Sequence, residues 1–410
     1  SDAKWTILPL SAKSTSALNN NIENLARHLE GGWTNSADGM RPDLDDVSFT
    51  LQEGREPLAE RAFAVIAPGE GHQSADLVDV ASDLRAVAQG NKVTTSKIRP
   101  SVAFLFPGQG SQYVSMAKGL YEGFEFYRKN LDDLAIMFQP LVSCDIRTFL
   151  FGEKGLELDG KTLQSPTVLQ PCLFAVEYCM SLLIRKIGVE PVACAGHSIG
   201  EYAAAVCGGF LSLSDAVGIV AKRAIACESA QEGAMLSVSM QFEEVQSLLE
   251  QYADLDIWLA AANSPIHHVI AGTMDSIHEL HAIVKEREVK CGLLHVNRAF
   301  HSGLMRKAAD TLKDTKCVDK DAKRVPVTSN VTGGWLSDEL LTSGEYWVDH
   351  MAGTVRWREN ACELAAKWEP TILLECGPGN VLSILSKKSR KELRKRLSLV
   401  RNLLMMVLVL

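Results

Sequence analysis

The amino-acid sequence predicts an α/β protein. A small α/β unit over residues 1–98 precedes a large α/β domain over 99–385, which a second, smaller unit interrupts at 234–297; a tail follows over 386–410. Three observations predict this organisation. Strand-like and helix-like segments are mixed along the whole chain. Two short apolar runs, Val102–Phe106 and Pro191–Gly196, each lead into a tight turn, as buried parallel strands do. Between 234 and 296 the segments follow the order β-α-β-β-α-β, that of a ferredoxin-like insert.

Each element has its own signal. In the first unit, Trp5-Thr6-Ile7-Leu8-Pro9-Leu10 reads as a strand. Residues 14–29 carry Leu18, Ile22, Leu25, Ala26 and Leu29 at helical spacing. Residues 45–52 put Val47, Phe49 and Leu51 on one face at alternate positions. Residues 61–67 read as a buried strand, and Leu77, Val80, Leu84 and Val87 mark a helix over 74–89. Nothing in this unit looks catalytic. The polar stretch 90–100 reads as a linker. In the large domain the first strand breaks at Pro107-Gly108, residues 171–184 form a strongly apolar helix, and the second strand turns into a helix over 200–206. The insert has strands at 234–238, 257–262, 269–272 and 291–296, with helices at 242–251 and 276–288. A cleft between a large domain and a small insert is a common seat of chemistry.

Composition narrows the function. With 46% hydrophobic and 22% charged residues the chain has the makeup of an ordinary globular protein, and a net charge of -8 gives no nucleic-acid footprint. An anionic substrate or partner then needs a local basic patch. The ten cysteines begin at Cys144 and contain no C-x-x-C pair, which reads as reduced thiols in a cytoplasmic protein and not as a disulfide framework or zinc site. No signal segment opens the chain, and no apolar run approaches the roughly 20 residues of a membrane helix. The apolar end 403–410 follows the basic stretch 387–401 and is expected to pack on this protein or on a neighbour.

The chemistry centres on Gly196-His197-Ser198-Ile199-Gly200, of the G-x-S-x-G form and set between an apolar strand and a helix. That context suits a sharp turn that lifts a serine hydroxyl above a sheet. The motif alone also fits a glycine-flanked helix cap that uses Ser198. A serine nucleophile needs a base. Of ten histidines, His301 comes just after the insert returns to the large domain and so falls at the cleft. His267 and His268 fall in a turn of the insert, and His28 and His72 in the first unit. An oxyanion needs two donors. The Ile199 N–H is one; the loop Pro107-Gly108-Gln109-Gly110-Ser111-Gln112 offers a second, or is simply a glycine-rich turn. Arg223, on the helix after the serine turn, either faces solvent or an ion-pair partner, or faces the serine as a clamp for a carboxylate.

Together these residues resemble one family. Phe106-Pro107-Gly108-Gln109-Gly110-Ser111-Gln112, Gly196-His197-Ser198-Ile199-Gly200-Glu201, Arg223, Ala299-Phe300-His301-Ser302 and Glu375-Cys376-Gly377-Pro378-Gly379 stand in the order and spacing of the acyltransferase domains of type I modular polyketide synthases and their fatty-synthase relatives. The resemblance spans about 100–385. Residues 1–98 are similar to the linker domain between ketosynthase and acyltransferase, through Leu8-Pro9-Leu10-Ser11-Ala12-Lys13 and residues 47–61. The resemblance implies an α/β-hydrolase-like large subdomain. It implies an acyl-serine enzyme in which Ser198 is the nucleophile, His301 the base and then the acid, and Gln109 with the Ile199 N–H the oxyanion hole. Arg223 would hold a malonyl carboxylate, and Gln170, Phe300 and His197 would line the same pocket. It implies malonyl-CoA as substrate, a phosphopantetheine thiol supplied by an acyl carrier protein, a neighbouring ketosynthase domain, and no tightly bound cofactor, metal, nucleic acid or membrane. Backbone carbonyls orient the histidine in this family, so no acidic third member is implied.

Family domains of the malonyl class usually read H-A-F-H before the base, and methylmalonyl ones Y-A-S-H. Here Arg298-Ala299-Phe300-His301 keeps the phenylalanine of the malonyl class and replaces the first histidine. Arg298 leaves open another extender unit, unless it points away from the substrate. Arg356 stands where discrete relatives often have glutamine, a change without effect if only its carbonyl is used. A serine thioesterase or hydrolase is the alternative, and it would need neither Arg223 nor the Gln109 loop.

Overall fold

The computed structural model describes residues 6–31, 43–66, 76–89, 94–95, 101–313, 315, 323–367 and 372–396. The chain divides into two compact units, Ser1–Pro100 and Ser101–Leu410.

The first unit runs Thr6–Ala12 (β1), Thr15–Leu29 (α1), Leu44–Glu53 (α2), Glu60–Ile66 (β2), Leu77–Gln89 (α3) and Thr94–Thr95 (β3). Its antiparallel sheet has the order β1-β2-β3. Pro9 is tolerated because β1 lies at the sheet edge, where a missing N–H costs no ladder bond. Ser14 caps α1 by accepting from the Ala17 N–H, and Leu18, Ile22, Ala26 and Leu29 pack against Leu8, Ala64, Val80 and Leu84. Residues 45–52, whose alternating apolar positions suggest one face of an extended segment, form α2 instead. Asp43 caps that helix, and the spacing Leu44, Val47, Ser48, Leu51 supplies its inward stripe, while Phe49 points to solvent. Most of the expected linker lies outside the described residues; Thr94–Thr95 within it adds the third strand.

The second unit begins with Val102–Phe106 (β4) and helices Lys118–Gly123 (α4), Glu125–Val142 (α5) and Ile146–Phe151 (α6). A small hairpin of Glu157–Leu158 (β5) and Lys161–Thr162 (β6) leads to Pro166–Lys186 (α7), Pro191–Gly196 (β7), Gly200–Cys207 (α8) and Leu213–Ser229 (α9). The insert follows as Ala234–Val238 (β8), Phe242–Gln251 (α10), Ile257–Ser264 (β9), His267–Gly272 (β10), Met274–Glu286 (α11) and Cys291–Leu293 (β11). The chain then returns through Arg306–Ala309 (α12), Asp338–Thr342 (α13), Tyr346–Ala352 (α14), Trp357–Lys367 (α15), Ile372–Glu375 (β12) and Val381–Arg396 (α16). Residues 403–410 lie outside the described residues.

The large subdomain is built on a parallel sheet of order β12-β4-β7, extended by a parallel bridge from Cys194 of β7 to Val327. Strand β4 is buried at every position, as its unbroken apolar run requires. Helix α7 is longer than the 171–184 segment read from sequence: Ser165 stands at its N-cap and Pro166 opens its first turn. By length and composition it could cross a membrane, against the expectation that no run comes near that length, but 83% of its most apolar window is buried inside the protein. It packs on α5, α8 and α9 as the core helix.

The insert is a four-stranded antiparallel sheet of order β11-β8-β10-β9. Helices α10 and α11 cover it around Leu236, Val245, Leu248, Ile270, Ile277 and Leu280. Its two ends run side by side: the Gly233 N–H donates to the Asn297 carbonyl at 3.2 Å, and Glu232 bridges Arg298. His267 and His268 belong to β10, not to the turn expected from Asn263-Ser264-Pro265, because the reversal is confined to Pro265 and Ile266.

Candidate active site

Strand β7 ends at Gly196 and α8 begins at Gly200, so Ser198 occupies the sharp turn between them. Its φ is +53°, a left-handed conformation that a serine adopts only when its surroundings impose it. Crowding explains the glycine after it: a Cβ on Gly200 would stand 2.2 Å from the Phe106 carbonyl oxygen of β4.

A residue that sequence reading passes over holds this turn. The Asn330 side chain accepts from the Ser198 N–H at 2.7 Å and donates to the Gly196 carbonyl at 2.7 Å. The Asn330 backbone N–H in turn donates to Glu201 at 2.6 Å, and Tyr346 donates to the other Glu201 oxygen. Burial pushes the Glu201 carboxyl up to about 8, against the lowering effect of those two hydrogen bonds. Asn330 escapes notice in the sequence because Ser329-Asn330-Val331-Thr332-Gly333-Gly334 looks like any turn-rich loop.

The structure brings His301 to Ser198. The Ser198 hydroxyl lies 2.6 Å from His301 Nε2, and His301 Nδ1 lies 3.1 Å from the Gly353 carbonyl oxygen. A carbonyl only accepts, so Nδ1 carries the proton and Nε2 is free to accept from the serine. Burial first, then the positive charge of Arg223, pushes His301 down to about 3, so the ring is neutral and able to accept a proton at neutral pH. Its φ is +60°. The orienting carbonyl belongs to Gly353 and not to Arg356; the exposed Arg356 uses its N–H on the Asn330 carbonyl at 3.2 Å. A carbonyl leaves no mark in residue type, which is why the sequence does not single out Gly353. Of the other histidines, His28 is exposed at the end of α1, His267 and His268 sit in the insert sheet, and His72 lies outside the described residues.

Arg223 faces the serine. Its Nη2 donates to the Ser198 hydroxyl at 3.0 Å, and its guanidinium lies over the Tyr202 ring, which stacks on Trp347. The side chain is only 2% exposed and has no carboxylate partner among the described residues, and its Nε has no hydrogen bond. Gln170 on α7 is 1% exposed with both amide atoms unpartnered. The site therefore holds a buried cation with no carboxylate against it among the described residues. Phe300 is buried directly before His301. The Arg298 guanidinium donates to the Glu228 carbonyl at the end of α9 and to the Asn297 carbonyl, and pairs with Glu232.

The loop after β4 lies against the serine turn. A Cβ on Gly108 would stand 2.8 Å from the His197 carbonyl oxygen, and the His197 N–H donates to the Phe106 carbonyl at 2.9 Å. Gln109 follows, half-buried, and the backbone N–H groups of Gln109 and Ile199 have no partner among the described residues. The His197 ring contacts the insert, with Nε2 2.8 Å from Asn263 Oδ1.

Residues 103–400 match the family described as acyl transferase domain, and residues 6–74 match the family described as CurL-like, PKS C-terminal. The spectinabilin polyketide synthase system protein NorB of Streptomyces orinoci is 32% identical over 93% of this chain and 17% of its own length. The polyketide synthase GfsB of Streptomyces halstedii is 30% identical over 92% of this chain and 7% of its own. The chain thus spans less than a fifth of the length of these two relatives. Among solved structures, the acyl transferase domain of SpnD in complex with 2-(pent-4-yn-1-yl)malonyl superposes with a TM-score of 0.79 at 31% identity, covering 94% of this chain and 87% of that one. The malonyl-CoA:acyl carrier protein transacylase FabD of Xanthomonas oryzae pv. oryzae gives 0.64 at 28% identity, covering 72% and 92%. With Arg223 and His301 both on the Ser198 hydroxyl, and with the family and structural matches covering most of the chain, this protein belongs to the acyltransferase domain family of modular polyketide synthases.

Proposed function

We propose that the chain moves a malonyl group from malonyl-CoA to the phosphopantetheine thiol of an acyl carrier protein through an ester on Ser198. The observation that carries this reading is the buried Arg223, hydrogen-bonded to Ser198 and without a carboxylate partner among the described residues. A buried charge is tolerated when paired. The free carboxylate of a malonyl thioester supplies that pair and sets its carbonyl beside Ser198.

In the first half-reaction Ser198 gives its proton to His301 Nε2 and its oxygen bonds to the thioester carbon. The oxyanion rests on the free N–H groups of Ile199 and Gln109. The C–S bond then breaks, and His301 returns the proton to the departing coenzyme A sulfur. In the second half-reaction His301 takes the proton of the carrier thiol, the sulfur attacks the ester, and the serine leaves with that proton. Both halves balance in atoms and charge.

Phe300, buried and directly before His301, is the residue type of the malonyl class and supports malonyl over branched extender units. Arg298 does not weaken that reading, because it is tied to the end of α9. The match of residues 6–74 and the share of each relative that the chain spans support residues 1–98 as a linker unit beside a ketosynthase domain of a larger synthase.

The test is intact-protein mass after incubation with malonyl-, methylmalonyl- and acetyl-CoA. A malonyl adduct that maps to Ser198, is absent from Ser198→Ala and passes to an added carrier protein is the expected result. An adduct on another residue refutes the assignment, and an ester that water removes within seconds makes the chain a hydrolase.

A further inference from the structure

Strand β9 of the insert touches three parts of the catalytic centre. Trp258 stands against Gly303, two residues after the base: a Cβ at 303 would lie 2.6 Å from its ring. The Leu259 carbonyl accepts from the Thr354 hydroxyl at 2.6 Å. The Val355 N–H donates to the Ala260 carbonyl and the Ala262 N–H to the Val355 carbonyl, both at 2.9 Å, so residues 354–355 add to the free edge of the insert sheet. Asn263 reaches His197, the neighbour of the nucleophile. The carbonyl that holds His301 Nδ1 is that of Gly353, whose peptide plane is shared with Thr354.

We infer that β9 aligns the base with the nucleophile, and that Thr354 is the positioning residue that fixes the Gly353 carbonyl on His301. A peptide unit is planar, so a turn of the 353–354 plane moves the carbonyl off Nδ1. The Val355 N–H bond fixes the next peptide plane, and the Thr354 hydroxyl ties residue 354, where the two planes meet, to a strand paired along its other edge with β10. The insert is therefore a frame for the catalytic pair. Thr354 touches no reacting atom and acts only through Gly353.

This inference rests on Ser198 and His301 acting as proposed above, and its test keeps the two apart. Single-turnover acylation of the whole chain by malonyl-CoA is followed by quenched-flow mass measurement in wild type, Thr354→Val and Thr354→Ser. Valine keeps the shape and loses the donor; serine keeps the donor. Loss of one hydrogen bond predicts a limiting acylation rate about three- to tenfold lower in Thr354→Val. Half-saturation should not change, because the Arg223 clamp is untouched, and Thr354→Ser should run close to wild type. If Thr354→Val acylates as fast as wild type, if Thr354→Ser is equally slow, or if only half-saturation moves, the inference is overturned. Should Thr354→Val fail to fold, Thr354→Ala carries the same comparison. A wild-type chain that takes no label overturns the functional reading itself.

Discussion

Asn330 brackets Ser198: one side-chain amide accepts from the serine N–H and donates to the carbonyl two residues earlier, each at 2.7 Å. A left-handed serine costs on the order of 1–3 kcal/mol and persists only if its surroundings over-determine it. Asn330→Leu keeps the volume and leaves two buried backbone groups unpaired. The variant should lose about 2–4 kcal/mol of stability in urea unfolding and acylate slowly even where it is folded. Full activity in the folded fraction would show that the turn holds itself.

Removing Arg223 separates binding from folding. Arg223→Ala should cut acylation from malonyl-CoA by about 10- to 100-fold, the worth of a charge-assisted hydrogen bond, and shift preference toward acetyl-CoA. Because the guanidinium has no carboxylate partner among the described residues, its loss should leave thermal stability unchanged or raised. Competition between the two substrates, read by mass, and a melting curve check both halves.

The acid limb of the reaction should lie far below that of a free imidazole. Burial and then Arg223 hold His301 at about 3, and only the neutral ring accepts a proton. As pH falls, the rate is lost on passing through that value and not near about 6.5. The kcat/KM profile for acylation should be flat from neutral pH to about pH 5. Arg223→Ala removes a positive neighbour, so its acid limb moves to higher pH. A wild-type limb near that of free histidine would mean that the base is not His301 in this environment.

Phe300→Ser should relax selection against a branched extender unit. A pocket rejects one methyl by roughly 1–3 kcal/mol, so the ratio of malonyl to methylmalonyl acylation should fall by about tenfold and not vanish. An unchanged ratio would place the discrimination elsewhere in the pocket.

Some elements can be read from sequence because their signals are local. The wholly apolar β4, the glycine-flanked serine turn after β7 and the first strand of the insert each sit within a few consecutive residues. Helix α2 shows the limit: Val47, Phe49 and Leu51 alternate, but the same ten residues also carry a helical stripe, and the cap at Asp43 with packing on the first sheet decides for the helix. Apolar spacing stops short of the true start of α7 for a related reason, since a serine and a proline set its first turn.

Residue types in their immediate surroundings are enough to nominate Ser198, His301 and Arg223, because hydroxyl, imidazole and guanidinium chemistry belongs to particular side chains. What orients them emerges only when distant segments fold together. Ser198 and His301 are 103 positions apart, and Ser198 and Asn330 are 132 apart. The carbonyl on His301 Nδ1 is that of Gly353, a backbone atom, whereas the Ile199 and Gln109 N–H groups come with the serine turn and the glycine-rich loop that the sequence already displays. Every peptide bond carries a carbonyl, so nothing in the residue type at 353 announces that the fold will aim this one at the imidazole.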